Sequence, residues 1–162
     1  MILFLMLFLF FLPLEATEIE ANKAEYDGDK IRLTGNVHIE HDFGEIHCDR
    51  GVMLMAKGQK RYAPERILLN DNVHVKLKDG SILTSEEADI DCQTLVGLFT
   101  AKAPQKVEYL TLMLEGDKTF PVKATSRAMR VMMKKQEIPK SEYVIQDVQA
   151  EGAVNIEYQN EL

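Results

Sequence analysis

Past about residue 22 the chain alternates apolar and polar side chains with a period of two. Ile31, Leu33, Val37 and Ile39 share one parity, while Arg32, Thr34, Asn36, His38 and Glu40 share the other. A second stretch sets Ile67, Leu69, Val73, Val75 and Leu77 against Asn70, Asn72, His74, Lys76 and Lys78. A third sets Val148, Ala150, Val154, Ile156 and Tyr158 against Gln149, Glu151, Asn155 and Glu157. This alternation predicts strands with one buried face. The best helical candidate, Ser126 to Gln136, places Met129, Val131 and Met133 in alternation and so also reads as a strand. Turn signals separate the runs: Asp27-Gly28-Asp29, Asp42-Phe43-Gly44, Lys57-Gly58-Gln59, Asp79-Gly80-Ser81 and Glu115-Gly116-Asp117. Glycine reaches φ > 0 without steric cost, which favours tight hairpins at these places. The expected fold is all-β and mostly antiparallel.

The runs repeat. Ile31-Arg32-Leu33-Thr34-Gly35-Asn36-Val37-His38-Ile39 is echoed by Ile67-Leu68-Leu69-Asn70-Asp71-Asn72-Val73-His74-Val75, an offset of 67 − 31 = 36 residues. Gly44 and Gly80, and Ile46 and Ile82, keep that offset, and Gly152-Ala153-Val154-Asn155-Ile156 is a shorter third copy. A second recurring piece is Ala24-Glu25-Tyr26, Ala88-Asp89-Ile90 and Ala128-Met129-Arg130-Val131. Gly35 and Gly152, inside strand patterns, predict bulges or bends. Repeated strand pairs with one apolar face imply two sheets around an elongated interior, with open edges at both ends.

The first residues differ in kind. Met1 to Leu14 reads MILFLMLFLFFLPL, without a charge. It is short for a membrane-crossing helix, which needs about 20 apolar residues, and suits the apolar core of an export signal. Residues 1–21 are therefore expected to be a signal peptide or, if retained, a membrane anchor, with one domain over 22–162. Possible cleavage sites follow Ala16 and Ala21, and either outcome places the domain outside the cytoplasm. The whole chain has 162 residues, 19 Lys+Arg against 26 Asp+Glu and a net charge of −7, so it lacks the basic excess of a general nucleic-acid binder.

Candidate chemistry is sparse. His38, His41, His47 and Cys48 lie close in sequence but match no closed zinc pattern. The repeat explains His38 and His74 as equivalent solvent-facing positions, so no metal and no cofactor are expected. Two cysteines, Cys48 and Cys92, leave a disulfide and free buried thiols both open. Asp89 and Asp91 share one parity and read as a solvated face. No motif for nucleophilic, metal-assisted or phosphate chemistry appears, and no enzyme is expected.

Ala21-Asn22-Lys23-Ala24-Glu25-Tyr26-Asp27-Gly28-Asp29-Lys30, Leu33-Thr34-Gly35-Asn36-Val37 and Gly44-Glu45-Ile46 together resemble the OstA-like family, which includes LptA, LptC and the periplasmic part of LptD. The likeness covers about Glu20 to Lys102 and resumes from about Ala124 to Tyr158, leaving Ala103 to Lys123 unmatched. The chain departs from the pattern at Asp71, in place of a glycine, and at Ala153, in place of an asparagine. The resemblance implies an elongated antiparallel β-jellyroll that binds lipopolysaccharide in a hydrophobic groove and carries it across the periplasm. On that reading Ile31, Leu33, Val37, Ile39, Ile67, Leu69, Val73, Val75, Leu77, Val154 and Ile156 face the lipid A acyl chains. The implied partners are lipopolysaccharide, other jellyroll domains of the Lpt pathway through edge strands, and further copies of the chain head to tail. Two alternatives stand beside the periplasmic carrier: an LptC-like component anchored in the inner membrane, and a structural or adhesive β-repeat protein whose interior is simply packed core.

Overall fold

The computed structural model describes residues 18–57, 64–137 and 142–158. The apolar leader and the Gly58-Gln59 turn lie outside the described residues. Those residues form twelve strands: β1 (Glu18–Glu20), β2 (Lys23–Asp27), β3 (Lys30–His41), β4 (Gly44–Met55), β5 (Pro64–Leu77), β6 (Ile82–Asp91), β7 (Val96–Thr100), β8 (Val107–Glu115), β9 (Lys118–Ser126), β10 (Ala128–Gln136), β11 (Glu142–Glu151) and β12 (Asn155–Tyr158). Every strand pairing is antiparallel. The fold is all-β and antiparallel, as the alternation predicts, and a jellyroll, as the family resemblance implies; the stretch from Ser126 to Gln136 forms β10 rather than a helix.

The pairing registers resolve the continuous network into two faces. One runs β1, the second half of β3, the first half of β4, the second half of β5, the first half of β6, then β8, β9 and β12. The other runs β2, the first half of β3, the second half of β4, the first half of β5, the second half of β6, then β7, β10 and β11. The four long strands β3 to β6 thus each serve both faces. The remaining positions are filled by pairs of separate short strands.

The repeated motif makes the crossing. Gly35 and Asn36 both have positive φ, 77° and 46°, and the register of β3 against β4 shifts at this point. Asp71 and Asn72 do the same in β5, at 63° and 52°, and Gly152 and Ala153 do so between β11 and β12, at 76° and 52°. Two successive left-handed residues turn the strand and return its side chains to the same parity. Asp and Asn tolerate this region better than other non-glycine residues, so Asp71 preserves the corner without glycine. Gly35 has a further reason: a Cβ there would lie 2.7 Å from Asn22 Nδ2. Arg50 Nε donates to Asp71 Oδ2 at 2.6 Å, and Asn72 Nδ2 donates to Asp49 Oδ2 at 2.6 Å, tying the corner of β5 to that of β4.

The apolar parity packs into one cluster between the faces. Ile39, Ile46, Ile67, Val73, Val75, Leu83, Ile90 and Met129 are buried within it. Phe43 lies in an expected turn, yet it is also buried, and its ring meets His41 and Tyr143. Close strand packing appears at Gly44, where a Cβ would approach the Lys76 carbonyl oxygen to 2.2 Å.

Candidate functional site

The interior is closed across the middle strands and open towards its ends; at one of them β1 and β2 are exposed throughout. Along β3, β4, β5 and β6 the inward residues of both faces meet and are withdrawn from solvent. Towards β8, β9 and β12 the covering thins. Register places Met113 opposite Phe120, Thr111 opposite Val122, Tyr158 opposite Val122 and Ile156 opposite Ala124, all on the inward parity. Val122 is buried, but Met113 is 50% exposed, Ile156 53% and Tyr158 65%. On the other face the inward residues of β11, namely Tyr143, Ile145, Val148 and Ala150, are only partly buried. A cavity of about 520 Å³ opens here, lined by Met113, Leu114, Glu115, Phe120, Val122 and Tyr158. That volume lies in the range of small-molecule sites.

The expected lining residues divide into two sets. Leu33, Val37, Ile39, Ile67, Leu69, Val73, Val75 and Leu77 are buried in the shared core, with Ile31 packed at its border. Val154 and Ile156 are instead exposed, because β12 is the last strand of its face and pairs only with β9. None of the eleven lines the cavity. The residues that do line it come largely from Ala103 to Lys123, the segment without a match to the family pattern. The signal for them was present in Leu110-Thr111-Leu112-Met113-Leu114, an apolar run beside Glu115-Gly116-Asp117.

Leu112 and Leu114 take the outward parity of the same hairpin and are also exposed, Leu114 at 74%. The tip is thus apolar on both sides. Beyond Leu110 its β8 arm pairs with β9 alone. Two pairs of strands end the molecule: β1 and β2 pair only with β3, while β11 pairs only with β10 and β12 only with β9.

The polar groups singled out earlier lie elsewhere. Asp89 holds the Arg66 guanidinium through two hydrogen bonds. Asp91 Oδ1 accepts from the backbone N–H groups of Gln93 and Thr94 at 2.9 and 2.8 Å, which lowers its pKa and closes a turn that contains no glycine. Cys48 and Cys92 are free thiols, not a disulfide, and burial pushes each up to about 11. His38, His47 and His74 lie side by side on the outer face, as register positions of β3, β4 and β5. Among the described residues no helix is long and apolar enough to cross a membrane.

No protein-family model matches the chain, and no curated protein sequence is similar to it. The fold has a solved counterpart. LptH of Pseudomonas aeruginosa, described as the LptA-homologous periplasmic component of a lipopolysaccharide transport device, superposes with a TM-score of 0.61 at 6% identity. The match covers 90% of this chain and 96% of LptH. The chain has the LptA-type fold. At this identity the likeness lies in backbone architecture, and an LptA-type jellyroll is also what the resemblance to the OstA-like family implies. Within that fold, the exposed inward side chains of β8 and β12 mark where the apolar interior meets solvent.

Proposed function

We propose that this protein is a periplasmic lipopolysaccharide carrier, sheltering acyl chains in its apolar interior and passing them on through contacts with other jellyroll domains. The observation that carries this reading is the open end at β8, β9 and β12: inward-facing Met113, Phe120 and Tyr158 border a cavity of about 520 Å³, on the parity that is buried further along β8 at Val107. Burying acyl chain is worth about 0.8 kcal/mol per CH₂, so a chain of about a dozen carbons offers on the order of 10 kcal/mol before ordering costs. Exposed ion pairs contribute about 0–1 kcal/mol each. The net charge of −7 therefore does not oppose an anionic glycolipid held by its tails.

In this reading acyl chains enter at Met113, Phe120 and Tyr158. They reach Val37, Val73 and the other buried members of the expected lining only as the two faces part. Export is by the apolar leader. Processing after Ala16 leaves β1 in the mature chain, whereas processing after Ala21 removes a strand paired with β3. Retention of the leader gives the anchored, LptC-like alternative, and mass analysis of the exported protein's N-terminus separates the two.

The test of lipid binding is site-specific photo-crosslinking in cells. A crosslinker at Met113 or Phe120 is expected to capture lipopolysaccharide, with weaker capture at Val37 and Val73. Capture only from the outward-facing Leu112, or none from any inward position, sinks the proposal and leaves a packed β-repeat protein.

A further inference from the structure

The strongest unassigned cluster lies on the outer surface, away from the apolar interior. His38 of β3 is in direct register with His47 of β4, and their rings stack at 4.3 Å between centroids with 5° between planes. Glu45 is two residues before His47 and so emerges on the same face. One donor atom from each of His38, Glu45 and His47 lies within 4.8 Å of the others. The His38 Nε2 atom is buried and has no hydrogen-bond partner. On the opposite side of the same ring, Nδ1 faces Glu20 Oε2 of β1 at 3.9 Å.

We propose that His38, Glu45 and His47 bind one divalent transition-metal ion of the zinc class, with Glu20 orienting His38. Two imidazoles, a carboxylate and a water make the donor set of an open tetrahedral site. The unpartnered Nε2 supplies a ligand atom, and the Glu20 carboxylate, 3.9 Å from Nδ1, stands on the side from which outer partners of metal-bound histidines orient the ring. Tetrahedral coordination at about 2.0–2.1 Å brings donor atoms to about 3.4 Å apart, a closure within reach of side-chain rotation. β3 and β4 are joined by a tight turn and flanked by β1 and β5, so the backbone carrying the three donors is fixed beforehand. Glu18 and Glu40 continue the register row beyond Glu45 and add negative charge around the ion. His74 stands at 6.4 Å from His47, on the far side from Glu20, and is outside the donor set.

The test is calorimetric titration of the untagged full chain with Zn²⁺ after EDTA stripping, together with thermal melts with and without the metal. One ion per chain is expected. His38→Gln and His47→Gln each weaken binding tenfold or more and abolish the zinc-dependent rise in melting temperature. Glu20→Gln weakens binding about tenfold, and His74→Gln leaves it within twofold. Metal-free melts of each variant establish that the fold is retained. Absence of stoichiometric binding, binding unchanged in the His38→Gln/His47→Gln double variant, or equal loss in His74→Gln overturns the assignment.

Discussion

Ala153 has a φ of 52°, yet it carries no side-chain group to offset the left-handed conformation. An L-residue in that region costs about 1–2 kcal/mol, and glycine escapes this at an entropic cost of about 0.5–1 kcal/mol. Ala153→Gly is therefore expected to stabilise the protein by about 0.5 kcal/mol, read from chemical denaturation. Gly44→Ala acts in the opposite direction. Its Cβ meets the backbone of Lys76, which cannot move without breaking register, and a loss of about 1–3 kcal/mol is expected in the same assay. The two thiols supply a pH signature. Their folded pKa values are raised to about 11 from 9.0 by burial. The folded state thus holds protons that the unfolded state releases, and the associated stability is full below pH 9 and lost as pH rises towards 11. Denaturation midpoints measured from pH 8 to 11 should fall, and Cys48→Ala/Cys92→Ala should flatten that fall.

At the scale of the strand, most of the architecture was legible in the sequence because both signals used were local. Alternation at period two identified the inward parity of β3 and β5, and the 36-residue offset aligned their corners. Asp71 was the hard case, since a glycine rule alone misses a corner that aspartate also tolerates. The turn after β6 was missed for a related reason: the Asp91 carboxylate, rather than a glycine, closes it. The interior lining was legible as a core, but not its opening. Parity says which side of a strand faces inward, not whether another strand covers it. Val154 and Ile156 have the core pattern and remain exposed because β12 ends its face. The outer histidines illustrate the same limit, since linear spacing hid a cross-strand neighbour that the register of β3 and β4 supplies.

For the whole molecule, coverage sets dynamics. β4 and β5 have paired strands on both sides and form the middle of the core, whereas β11 and β12 each pair on one side. Amide hydrogen exchange is accordingly expected to be slowest in β4 and β5 and fastest in β11 and β12, with a difference of at least tenfold. The same terminal strands offer unpaired backbone for assembly. If copies associate end to end, Ile156→Lys should lower the apparent mass seen by light scattering at high concentration. Folding stability should change by about 0.5 kcal/mol or less, as expected for an exposed site.

Because β3, β4, β5 and β6 run unbroken from one face to the other, they act together as the spine of a half-open book. Its covers are hinged on that side by continuous chain. They can swing apart along the fore-edge, where β8, β9 and β12 oppose β10 and β11. Whatever enters at that margin travels inward towards the spine, and the order of loading is dictated by where the binding is stitched.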